Sequence, residues 1–346
     1  MPIRVLHDGW PLVHAPLSAA ALHLRTLLAL APEETEPLVA LPVSSSAETG
    51  EERIKVIYQE TRDAGSWQQR TLPRLAAEHG GNCIHTTQLA ASLLGRVPTV
   101  VSPAEAANPE RGSRLAEAQG FGGLARATIL WPQDMEKPKL PGQIVTIPPV
   151  THPDFKHGHA ELPTELGLPE GFILVHGNLS QEQILALLES WTWAAASMGE
   201  LYPLLILGLG EAMNAFASSR LPEFHVEESV KLVPKIQEQY LPGIYQASSA
   251  VVPMGVPGAW GNSLRHALAC GKAVVAQENA SIDAIVGKAA YLVAPDDLRS
   301  FGAAIITVVV DEQAREKLED AAWQRAQQWK PAEFQSELMN VYRELA

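Results

Sequence analysis

Two rhythms of apolar residues alternate along this chain. Short apolar runs bounded by Gly, Pro and Asn mark buried strands, and longer stretches with apolar residues every three or four positions mark helices. In the first half, strands are predicted at Ile3–His7, Leu38–Leu41, Ile54–Tyr58, Asn82–His85, Thr99–Val101, Thr128–Leu130 and Ile144–Ile147. Helices are predicted at Ser18–Leu30, Gln69–His79 and Gln88–Leu94. Asp8-Gly9-Trp10-Pro11 reads as a turn and Ser44–Glu52 as a polar loop. The prolines of Pro148-Pro149-Val150-Thr151-His152-Pro153 mark a linker, and the pattern then restarts.

The second half has strands at Phe172–His176, Leu204–Leu207, Ser229–Val233, Ala250–Pro253, Ala273–Ala276 and Ala290–Val293. Its helices are predicted at Gln181–Met198, Ile236–Ala247 and through most of Leu298–Trp329. Lys330-Pro331 should break the last helical run before Ala332–Leu345, because proline cannot continue a helix. Strands alternating with helices imply open parallel sheets of the α/β class.

The chain has 346 residues, enough for two domains, and 46 % of them are apolar. No apolar run reaches the ~20 residues of a membrane span. The formal net charge of −13 argues against nucleic acid as a partner, because that binding relies on Lys and Arg displacing counterions. It leaves room for a nucleotide-linked ligand, which needs only a local pocket. The two cysteines, Cys83 and Cys270, fall in apolar contexts in different halves and predict no disulfide framework. With no export signal at the N-terminus, the expected compartment is the cytoplasm.

The stretch Ala250–Val275 concentrates the candidate chemistry. A Gly/Pro loop runs into a short helix that Asn262 or Ser263 can cap, and Gly271 suits the left-handed position after the last turn. A loop ending at a helix N-terminus offers free N–H groups and a positive dipole end to a phosphate or diphosphate. A plain βαβ unit without a ligand fits the same residues.

This stretch resembles the donor-site signature of the retaining glycosyltransferases of family 4, Glu-Gly-Phe-Gly-Leu-Pro-x-Leu-Glu-Ala-x-Ala-x-Gly-x-Pro-Val-Val. Gly261, Ala267, Ala269, Gly271 and Val274-Val275 match it, and Trp260 stands for the Phe. Gly258 and His266 occupy the positions of the two signature glutamates. A second resemblance lies at Gly177-Asn178-Leu179-Ser180-Gln181-Glu182-Gln183, where the family has Gly-Arg-x-x-x-x-Lys. Asn178 and Gln183 replace the two cations.

The resemblance implies a GT-B fold, in which two Rossmann-like domains face a cleft and a C-terminal helix returns to the first domain. The implied division is an acceptor-side domain, 1–152 completed by 332–346, and a nucleotide-sugar donor domain, 153–331. The implied function is transfer of a sugar from a nucleotide-sugar donor to an acceptor. Configuration would be retained, with no metal and no cofactor, the nucleotide-diphosphate sugar being the substrate. Donor-side candidates are Gly177, Asn178, Gln183, Gly208, Gly210, Trp260, Gly261, Asn262, Ser263 and His266. Acceptor-side candidates are Gly9, Trp10, His85 and Ser102. The replaced glutamates and cations also support a second reading: a pseudoenzyme that binds or regulates an active glycosyltransferase.

Overall fold

The structure, a computed structural model, describes residues 2–42, 53–61, 63–104, 121–160, 162–163, 166–233 and 235–346. The predicted polar loop Ser44–Glu52 lies outside the described residues. The chain divides into two compact units. Unit 1 comprises Met1–His152, Gly258–Gly261 and Trp329–Ala346, and unit 2 comprises Pro153–Pro257 and Asn262–Gln328.

Unit 1 is built on β1 (Ile3–Asp8), β2 (Thr35–Pro42), β3 (Lys55–Gln59), β4 (Cys83–Thr86), β5 (Thr99–Val101), β6 (Thr128–Pro132) and β7 (Gln143–Ile147). The sheet order is β3-β2-β1-β4-β5-β6-β7, all neighbours parallel. Its helices include α1 (Trp10–His14), α2 (Ala19–Ala29), α3 (Ala64–Ser66), a π turn (Trp67–Thr71) and α4 (Leu72–Glu78). Ser18 caps α2 by accepting from the Ala21 N–H. The core lies on both faces of the sheet, with Leu6, Leu38, Trp67 and Leu75 on one and Leu24, Leu28, Val39 and Leu41 on the other. Apolar residues fill consecutive strand positions because both faces are covered.

Unit 2 has β8 (Ile173–His176), α5 (Gln181–Met198), β9 (Leu204–Leu207), α6 (Glu211–Phe224), β10 (Val230–Val233), α7 (Leu241–Ala247), β11 (Ala250–Val251), α8 (Ser263–Ala269), β12 (Val274–Gln277), α9 (Ala280–Val286), β13 (Ala290–Val293), α10 (Leu298–Val310) and α11 (Glu312–Ala326). The sheet order is β10-β9-β8-β11-β12-β13, again parallel. Ile184, Leu187, Leu188 and Trp191 of α5 pack with Phe301, Ile305 and Val308 of α10 in one core cluster. The last helix, α12 (Pro331–Leu345), belongs to unit 1. Its stripe of Phe334, Leu338, Val341 and Tyr342 is buried.

Three predicted elements differ. Asp8-Gly9-Trp10-Pro11 does not end as a turn but starts α1, with Pro11 in the first helical turn where its missing N–H costs nothing. Residues Gln88–Leu94 form no helix, because the Gln69 side chain takes over their backbone groups. It donates to the Ala91 carbonyl at 3.1 Å and accepts from the Leu93 N–H at 3.0 Å. The run Leu298–Trp329 divides at Asp311, which ends α10 and caps α11 through the Ala314 N–H.

Candidate active site

In unit 2, the chain runs from β8 outward through β9 to β10 and then returns to β11 on the other side of β8. Open parallel sheets bind ligands at such a switch point, outside the carboxyl ends of the strands. At that end of the sheet, Gly177–Ser180 after β8 and Gly208–Gly210 after β9 lie on one side of the switch point, and Val252–Pro257 after β11 lies on the other. They carry the donor-side candidates Gly177, Asn178, Gly208 and Gly210.

Gly177 has φ +139° and Gly208 φ +87°, backbone states that side-chain-bearing residues rarely adopt. A Cβ on Gly208 would press on the His176 ring and approach the Gly177 nitrogen, so the first two loops lie against one another. Gly210 is exposed and stands at the N-cap of α6, with open space where a side chain would be. Asn178 is exposed.

Gln183 is committed to the scaffold. Ser180 caps α5 by accepting from the Gln183 N–H at 3.2 Å, and the Gln183 Oε1 accepts from the Ser180 N–H at 2.8 Å, a reciprocal capping box. The other end of the amide lies against the loop after β11, its Nε2 3.5 Å from the Met254 carbonyl. Gly255 is positioned where any Cβ would strike that amide. The residue at the family's lysine position thus ties two loops of the switch point together.

The Asn262 carboxamide accepts from the Arg265 N–H at 3.0 Å and caps α8, and Ser263 is the first residue of that helix. His266 is fully buried. Phe155 stacks on its ring at 4.0 Å and Tyr245 meets it edge-on at 5.7 Å. This corrects the expectation of a donor-side binding residue: the imidazole is part of an aromatic column continuing from Tyr245 to His176, whose Nδ1 is 2.8 Å from the Tyr245 hydroxyl. Burial drives the Tyr245 pKa well above its ordinary value, with Cys270 adding to the rise, so this hydroxyl stays neutral.

Trp260 and Gly261, expected on the donor side, are grouped with unit 1. Trp260 is fully buried, donates from Nε1 to the Leu130 carbonyl at 3.1 Å and stacks on His23 at 4.9 Å. Gly261 has φ +60° and lies so close to the Ala19 carbonyl that no side chain fits.

The acceptor-side candidates fall in two places. Gly9 is packed between Ala40 and Leu41, which leaves no room for a Cβ, and Trp10 is half-buried with His14 stacked on it at 3.9 Å. His85 and Ser102 are joined in the interior, with His85 Nε2 2.8 Å from the Ser102 hydroxyl and Nδ1 2.6 Å from the Tyr342 hydroxyl. With both ring nitrogens engaged and the ring fully buried, His85 is no open-cleft base. Burial, then electrostatic coupling to His7 and His23, holds its pKa well below the ordinary value. His7 stacks on it at 5.6 Å and is itself pushed by burial down to about 3.

Sequence reasoning passed over Asp8, although an acid ending an apolar strand was a usable signal. Its carboxylate is buried at the end of β1 and holds residues from three other elements. It likewise missed His176, Tyr245 and Phe155, whose association comes only with the fold. Among the described residues no His, Cys, Asp and Glu cluster suits a metal, and no helix is long and apolar enough to cross a membrane.

Residues 170–311 match the model of the family described as Glycosyl transferases group 1. The whole chain superposes on glycosyltransferases of known structure. HepE from Anabaena in complex with UDP-glucose is 16% identical with a TM-score of 0.74, covering 99% of this chain and 100% of that one. Sucrose-phosphate synthase from Thermosynechococcus elongatus is 16% identical with a TM-score of 0.73, covering 99% of each chain. WaaG, a glycosyltransferase involved in lipopolysaccharide biosynthesis, is 12% identical with a TM-score of 0.72, covering 98% of this chain and 99% of that one. No curated protein matches by sequence. The protein has the GT-B fold of the glycosyltransferases, and the part matched by the family model contains the switch point of unit 2.

Proposed function

We propose that this protein is a retaining, metal-independent glycosyltransferase that uses a nucleotide-diphosphate sugar. One observation carries the reading: the match to Glycosyl transferases group 1 falls on residues 170–311, which hold the three loops at the unit 2 switch point. HepE, with the same fold, is described in complex with UDP-glucose. Sugar transfer requires stabilising a diphosphate whose charge grows as the glycosidic bond breaks. Preorganised hydrogen-bond donors do this well, each contributing a factor of about 10²–10³ where it has been removed from other enzymes. Here the Gly177 N–H is already given to the Leu207 carbonyl at 3.0 Å, and backbone N–H groups of the glycine turn at Gly208 and the exposed Asn178 amide would do so. Asn178 and Gln183 carry no charge, so donor affinity should be modest.

The test is calorimetric titration of the full chain with UDP, GDP, ADP and their glucose conjugates. Binding of one nucleotide tighter than roughly 100 μM, about −5.5 kcal/mol, is expected. No heat with any of them would contradict the reading and favour the pseudoenzyme.

A further inference from the structure

In unit 1 the switch point lies between β1 and β4: the chain proceeds from β1 through β2 to β3 on one side and from β4 through β5 and β6 to β7 on the other. Asp8 ends β1 there, fully buried. Its Oδ1 accepts from Trp67 Nε1 at 2.7 Å and from the Trp10 N–H at 3.1 Å. Its Oδ2 accepts from Gln68 Nε2 at 2.5 Å and from the Thr86 hydroxyl at 2.9 Å. The Thr86 oxygen itself accepts from the Gln88 N–H at 3.2 Å, which leaves its own hydrogen for Asp8. Burial raises the Asp8 pKa and the four donors oppose that rise. A carboxylate has about four acceptor positions, so this one is saturated and has none left for a ligand.

The network continues outward. Gln68 Nε2 also donates to Gln88 Oε1 at 3.2 Å. That bond fixes which end of the Gln88 carboxamide faces Gln68, and its N–H₂ end faces away. Gln88 is half-buried, whereas Gln68 is buried. Trp67 and Gln68 open the π turn, a rare helical form that recurs at functional sites.

We propose that Asp8 is a positioning residue for the acceptor and that Gln88 contacts it. Through Gln68, Asp8 aims the Gln88 N–H₂ group at the unit 1 switch point, and the acceptor moiety received there is a neutral, hydroxyl-rich ring. This rests on the glycosyltransferase reading above. The side chains of the network are amide, hydroxyl and indole, which suit sugar hydroxyls. The one ionisable group among them is an acid, which disfavours a phosphorylated or carboxylated acceptor nearby. Arg70, the cation of the π turn, is exposed and lies two positions beyond Gln68, on the other side of the turn.

The experiment follows tryptophan fluorescence of the full chain during titration with methyl glucoside, methyl mannoside, methyl galactoside and glucose 6-phosphate. A saturable change with at least one neutral glycoside, and none with glucose 6-phosphate, is expected. Gln88→Leu should weaken that glycoside about tenfold, the loss of one well-placed hydrogen bond. Gln88→Glu keeps the length, lacks the N–H₂ and should fail to restore it, and Asp8→Asn should weaken binding at least as much. Calorimetry with UDP should give the same affinity for both Gln88 variants as for the parent chain. Silence with all three glycosides, stronger binding of glucose 6-phosphate, or unaltered glycoside binding by both Gln88 variants would overturn the proposal. UDP binding in the parent chain reports separately on the glycosyltransferase reading.

Discussion

The buried histidines of unit 1 give the residue scale its clearest consequence. His7 is neutral in the folded state because burial holds its pKa at about 3, whereas an unfolded histidine titrates near 6.5. Between those values the unfolded chain binds the extra proton, so stability is fully present above about pH 6.5 and falls as pH drops toward 3. At pH 4.5 this one residue should already have cost roughly 2–3 kcal/mol, and His85 shifts in the same direction. Thermal melts from pH 7.5 to 4.5 should show the midpoint dropping, with a shallower dependence in His7→Leu. Parallel curves for the two proteins would remove His7 from the account. A second residue-scale prediction concerns the bond between Tyr342 and His85. Tyr342→Phe leaves a buried ring nitrogen without its hydroxyl partner and should lower unfolding free energy by about 1–3 kcal/mol in denaturant melts.

At the scale of elements, the N-terminus of α5 sets scaffold against chemistry. Gln183 closes the capping box with Ser180, and at the same position the resembling family carries a lysine. Gln183→Lys removes half of the box, which should cost about 0.5–1 kcal/mol of stability. It also brings a cation to the switch point, so UDP affinity measured by calorimetry should rise several-fold while the melting midpoint falls. A variant that loses stability without gaining affinity would place the diphosphate elsewhere. The helices that were legible were those with a strong cap and a wide apolar stripe, as in α2 and α5. Helix α6 escaped notice because it buries only Ala217 and Leu221 and carries Pro222 near its end. The π turn has no periodicity of its own to read. Its reason for existing, the carboxylate of Asp8, comes from a strand far away in sequence.

At the scale of the whole molecule, the alternation of apolar strands and amphipathic helices was enough to indicate two parallel α/β sheets, and the family resemblance supplied GT-B. The candidate site was legible in its backbone and less so in its side chains. Gly177 and Gly208 could be picked out because positive φ leaves a glycine signature after a strand. His266 and His85 stand at suggestive positions in the sequence, yet each is buried among partners that only the fold assembles, Phe155 and Tyr245 for one and Tyr342 and Ser102 for the other. Trp260 reads as a donor-loop residue from its neighbours in sequence and is a core residue of unit 1 by its contacts.

The central claim is that this fold transfers a sugar with retained configuration, and the most direct measurement is slow hydrolysis of the donor, with water as acceptor. The protein is incubated with UDP-glucose, in which the glucosyl bond is α, and the anomer of released glucose is followed by proton NMR before mutarotation. The account predicts enzyme-dependent release of UDP together with α-glucose. Release of β-glucose would contradict retention. No release from UDP-, GDP- or ADP-glucose would contradict the enzyme.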